Sequence, residues 1–133
     1  MRPADPGLPR IYGADHSGRI LDAARDNAEM AKVDGSIAWT KRRVEELENP
    51  CPELGPGIIV SNPPYGERIN EAIELKAVFR KMGERLKAEF PGWECWFLLP
   101  DAEFVESFGL RKGRAVPLKN GPLDVVATQF FVS

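Results

Sequence analysis

The segment Asn62-Pro63-Pro64-Tyr65 directly follows the run Ile58-Ile59-Val60-Ser61, and its residue types suit one task, the holding of a planar amine. The Asn62 side-chain carbonyl can accept a hydrogen bond from an exocyclic NH2. Pro63 stiffens the turn and offers its own carbonyl as a second acceptor, with Pro64 continuing the rigid corner. Two acceptors on one amine direct its nitrogen lone pair away from them, toward an incoming electrophile. Tyr65 can stack on a base drawn out of its helix. Two prolines by themselves also suit a rigid turn or a polyproline recognition segment. Asn before them, Tyr after them and a strand end upstream favour the amine chemistry. Asp15 is the second candidate, at the end of the run Arg10–Ala14. A carboxylate there can accept from the ribose hydroxyls of a nucleotide cofactor. It also suits a plain surface acid drawn to a helix N-terminus by the dipole.

The elements that must carry these groups follow from periodicity. A strand over 10–14 leads to a helix opening near Ser17, a good N-cap type. Its stripe is Leu21, Ala24, Ala28 and Ala31, with Gly35 closing the unit. Ser36–Thr40 reads as a second strand, and Asn49–Pro52 as loop. Gly57–Val60 has the unbroken apolar pattern of a strand buried on both faces, stopped by the prolines. A long helix is expected over Glu71–Phe90 with Leu75, Val78, Phe79, Met82, Leu86 and Phe90 on one side. Trp93–Leu99 is a strand, and Pro100-Asp101 opens a short helix through Phe108. Arg114–Leu118 and Asp124–Val132 form a hairpin across Lys119–Pro122, signalled by Asn-Gly. The order predicts an α/β fold, an open and mostly parallel sheet with an antiparallel hairpin at one edge. Residues 1–9, with three prolines, read as a leader or cut linker before a domain over 10–133.

Composition narrows the classes. At 133 residues there is room for one domain. A formal net charge of -2 excludes a globally basic nucleic-acid glove. A local basic run remains in Arg111, Lys112, Arg114 and Lys119, with no acid between Glu106 and Asp124; it suits RNA phosphates or a solvated face equally well. No apolar stretch approaches a membrane span, and the N-terminus lacks the apolar core of a signal peptide. Two cysteines and one histidine exclude a zinc cluster and a disulfide framework. No metal is expected, and a reducing cytoplasmic setting fits.

Ser61-Asn62-Pro63-Pro64-Tyr65-Gly66-Glu67-Arg68 resembles motif IV of the class I S-adenosylmethionine (SAM)-dependent methyltransferases that modify exocyclic amines. The form Asn-Pro-Pro-Tyr-Gly-Glu-Arg is typical of the THUMP-associated RNA guanine-N2 branch, once loosely labelled adenine-specific DNA methylases. Lys119-Asn120-Gly121-Pro122-Leu123-Asp124 is similar to a hairpin segment of the bacterial 23S rRNA guanine-N2 methyltransferases, the L half of the fused K/L enzymes. The resemblance covers about residues 9–133. It implies a Rossmann-like sheet, SAM as cofactor and 23S rRNA as partner. It also implies Asn62, Pro63, Pro64 and Tyr65 at the reacting amine, Asn62 beside the cofactor as well, and Asp15 at its ribose. Adenine-N6 methylation of DNA or RNA is the alternative on the same four residues, and a non-catalytic RNA-binding or assembly module is a rival of another class.

Two departures from the family pattern stand out. Where relatives carry an acid for the cofactor adenine, this chain reads Thr40-Lys41-Arg42-Arg43-Val44. The glycine-rich turn that should precede Asp15 is missing, together with the strand before it. The resemblance therefore implies the later part of a methyltransferase domain, inactive alone. In the family the missing strand runs mid-sheet between the strands ending at Asp15 and Asn62. Its absence predicts two unpaired edges, and with them marginal stability, or closure of the gap by rearrangement or self-association.

Overall fold

The computed structural model describes residues 10–62 and 72–133. The chain divides after Pro50 into two compact units, each described by itself. The leader assigned to residues 1–9 lies outside the described residues.

In the first unit β1 (Ile11–Asp15) and β2 (Ile37–Lys41) pair in parallel, with Asp15 opposite Lys41. Between them runs α1 (Gly18–Met30). Ser17 caps it as expected, its side chain accepting the Ile20 N–H at 3.3 Å. Leu21 and Ala28 are buried, but Ala24 is half-buried and Ala31 exposed, so the expected stripe is shorter than its spacing implied. The reason is the helix end. Lys32, at φ 62°, takes the left-handed position after Ala31. Lys32 N–H then reaches Glu29 O at 3.0 Å and Val33 N–H reaches Ala28 O at 2.9 Å, the paired bonds that close a helix in a Schellman turn. A lysine does this work, and Gly35 sits instead in the 3-10 turn Asp34–Ser36.

The second unit contains β3 (Ile58–Ser61), α2 (Ala72–Glu89), β4 (Glu94–Leu99), β5 (Arg111–Asn120) and β6 (Leu123–Phe131). The strands form one sheet in the order β3-β4-β6-β5. β3 and β4 are parallel, while β4/β6 and β5/β6 are antiparallel. Each unit thus combines parallel strands with a helix, and the second ends in an antiparallel hairpin, the α/β class that the sequence predicts. Among the described residues β1 pairs only with β2, and β3 only with β4.

The core lies on one face of this sheet. Strand alternation turns Cys95, Phe97 and Leu99 of β4 inward, and the α2 stripe of Leu75, Phe79, Met82 and Leu86 is buried, as is Phe90 just beyond the helix. Phe108 ends the 3-10 segment Ala102–Phe108 and meets three rings. It stacks on Phe79 at 4.7 Å and lies 5.1 Å from Phe97 and 5.0 Å from Phe130. Such pairs contribute roughly 0.5–1.5 kcal/mol each beyond burial. Gly83 permits this approach, because a Cβ there would run into the Phe108 carbonyl. Burial, and secondarily the Glu94 charge, raises the Cys95 thiol to about 12, which leaves it a proton-bearing core residue.

Three expectations are corrected. β3 is not buried on both faces, since Ile58 is 63% and Val60 77% exposed. It is an edge strand, and its residues alternate between a covered face and an open one. β5 begins at Arg111 rather than Arg114, because a register shift between Lys112 and Ala115 lets pairing continue past an irregularity. The hairpin turn is centred on Gly121-Pro122 rather than Asn120-Gly121, for Asn120 still pairs with Leu123. Gly121 has φ 63°, as the first central residue of a type II′ turn requires.

Candidate active site and basic edge

Asp15 closes β1, where the chain leaves the ladder for α1. Its Oδ1 accepts the Ser17 N–H at 2.8 Å and lies 3.6 Å from His16 Nδ1. These contacts hold the carboxylate at the junction of strand and helix. Among the described residues Oδ2 has no partner, so it remains available to a hydroxyl. The basic run Lys41-Arg42-Arg43 continues from here. Lys41 ends β2, and Arg42 N–H reaches Asp15 O at 2.9 Å.

Asn62 stands one residue beyond β3 and is exposed. The carboxyl end of a parallel strand is where open α/β sheets bind ligands. Pro63, Pro64 and Tyr65 lie outside the described residues, as do Gly66, Glu67 and Arg68. Asp15 belongs to the first unit and Asn62 to the second.

The four basic candidates all fall on β5, and all are exposed. They are not equivalent. Lys119 pairs with Asp124 at 2.5 Å. The Arg111 guanidinium lies 4.6 Å over the Phe131 ring, a cation–π contact. Among the described residues the Lys112 and Arg114 side chains have no partner. A group that sequence reasoning missed adjoins them. Trp96 Nε1–H donates to Glu94 Oε2 at 2.7 Å, Gln129 Nε2 donates to the same oxygen at 3.0 Å, and Gln129 Oε1 accepts the Arg114 N–H at 3.0 Å. Glu94, Trp96 and Gln129 come from paired strands far apart in sequence. The only local sign of them was the period-two spacing of Glu94 and Trp96.

Among the described residues no group of three or more His, Cys, Asp or Glu could hold a metal ion. No described helix is long and apolar enough to cross a membrane.

A family model described as RMKL-like, methyltransferase domain, matches residues 3–129. The ribosomal RNA large subunit methyltransferase K/L of Chromohalobacter salexigens is 37% identical over 115 residues, 86% of this chain and 16% of that protein. The crystal structure of SMU.472 complexed with SAH matches with a TM-score of 0.79 at 28% identity, covering 92% of this chain and 32% of that one. A Listeria monocytogenes protein named a predicted N6-adenine-specific DNA methylase matches at 0.70 and 26% identity, over 92% of this chain and 30% of that one. The chain thus spans 16% of the length of that rRNA methyltransferase and about a third of the length of each of these two solved chains.

Proposed function

Because this chain belongs to the RMKL-like methyltransferase domain family, we propose that it carries the amine-orienting part of an enzyme that methylates the exocyclic N2 of a guanine in 23S rRNA, with SAM as methyl donor. The observation that carries this reading is Asn62, exposed at the carboxyl end of a parallel strand in a chain 37% identical to an rRNA methyltransferase.

The roles follow from group chemistry. The Asn62 carbonyl and the Pro63 carbonyl accept hydrogen bonds from the two amine N–H groups, which leaves the nitrogen lone pair facing outward. Pro64 keeps that corner rigid, and Tyr65 stacks on the extruded base. The free oxygen of Asp15 accepts from a cofactor ribose hydroxyl. SAM supplies a sulfonium whose methyl is electrophilic, so orientation of the amine can serve without a strong base. Of the exposed basic residues on β5, Arg111 and Arg114 offer charge to the RNA backbone. A cytoplasmic location fits an rRNA substrate.

The Listeria relative favours a second reading, adenine-N6 methylation, because the same two acceptors fit either amine. One assay separates them. The native protein carrying this sequence is given tritiated SAM and unmodified 23S rRNA, and the digested RNA is resolved into nucleosides. Label in N2-methylguanosine supports the proposal, and label in N6-methyladenosine replaces it with the second reading. Asn62→Ala should lose label while keeping SAH affinity, whereas Asp15→Ala should weaken SAH binding about tenfold or more, the loss of one charge-assisted hydrogen bond. RNA binding with no label in any nucleoside would point to the non-catalytic module.

A further inference from the structure

The four-stranded sheet has two unlike edges. β3 carries Ile58-Ile59-Val60-Ser61, without a charge or a proline. β5 carries Arg111, Lys112, Arg114 and Lys119, together with Pro117 and an irregularity. Charge, proline and bulges keep an edge from pairing with another strand, so β5 is built to face water. Its irregularity does more than blunt the edge.

Lys112 pairs with Phe130 and Ala115 with Thr128, so Gly113 and Arg114 together stand opposite Gln129. That is a β-bulge, one residue more on β5 than on β6. In an unbroken strand, residues three apart point to opposite faces, and Arg114 would oppose Arg111. The extra residue returns Arg114 to the side of Arg111. Gln129 fixes the device. Its Oε1 takes the Arg114 N–H at 3.0 Å, and its Nε2 is anchored on Glu94, which also receives Trp96. Gly113 is required because a Cβ there would run into the Gln129 amide and the Phe131 ring. Arg111 already lies 4.6 Å over the Phe131 ring, and a guanidinium seated on a ring still has N–H donors to offer a phosphate.

We infer that the β5 edge is a phosphate-binding surface for RNA, with Arg111 and Arg114 as its contacts and Gln129 as the positioning residue that holds Arg114 on the side of Arg111. This rests on the rRNA reading above. Lys112 and Lys119, paired with Phe130 and Asp124, both fall on the opposite side.

The test is binding of the full chain to a fluorescein-labelled RNA stem-loop, followed by anisotropy from about 50 to 200 mM salt. Arg111→Gln and Arg114→Gln should each weaken binding and lower the slope of log K against log salt by about 1. Lys119→Gln should leave the slope unchanged. Gln129→Leu leaves the net charge unchanged, so a loss of about 1 in its slope reports direction rather than charge. Arg114→Gln keeps the backbone bond to Gln129 and serves if the leucine variant does not fold. Equal losses from Lys119→Gln and the arginine variants, or no loss from the arginines, would overturn the inference while leaving the methylation assay unaffected. Wild-type slopes near zero would remove RNA from this edge altogether.

Discussion

The two units share an alternation of strand and helix but differ in what they bury. In residues 10–50, α1 contributes only Leu21 and Ala28 to the buried set, and Tyr12 on β1 is 36% exposed. In residues 51–133, five phenylalanines make ring contacts around Phe79, Phe97 and Phe108. Alanine buries little apolar area, whereas a fully buried phenylalanine contributes roughly 1.5–3 kcal/mol. Regular elements therefore set the connectivity of both units, and side-chain volume sets which one holds firmly.

The largest effect should come from Phe108→Ala, which empties the centre of the ring cluster. A loss of about 3–5 kcal/mol is expected in urea unfolding, with hydrogen-exchange protection lost across β4 and β6. Leu21→Ala should raise exchange only in α1 and its neighbours, and equal loss of protection in β4 would break the distinction between the units. Gly83→Ala forces α2 away from Phe108 and should cost about 1–3 kcal/mol, although alanine is the better helix former by about 1 kcal/mol.

Alkali should act through the second unit. Cys95 has its thiol raised from 9.0 to about 12, so above pH 9 the unfolded chain loses a proton that the folded chain keeps. The unfolded state then binds fewer protons, and stability falls with rising pH. This contribution is complete below pH 9.0 and is lost progressively toward pH 12. Urea midpoints of the wild type and Cys95→Ala should converge over that range. A smaller gain is expected from Lys32→Gly. Relief of the left-handed lysine is worth roughly 1–2 kcal/mol, partly offset by about 0.5–1 kcal/mol of glycine entropy, and the thermal midpoint should rise. At the open β3 edge, Val60→Lys should reduce any concentration-dependent mass in light scattering, while Lys112→Val on β5 should increase it.

The sequence itself determined the elements whose signals are local. The α2 stripe is buried at Leu75, Phe79, Met82 and Leu86, Ser17 and Asp101 cap their segments, and Asn62 falls at a strand end, because periodicity, capping and proline act within a few neighbouring residues. Tertiary structure alone decided that Gly83 meets the Phe108 carbonyl, and that Gln129 holds a bulge that puts Arg114 on the side of Arg111. Each of these depends on which strand or helix lies next to which, and on contacts between residues tens of positions apart that no local pattern encodes.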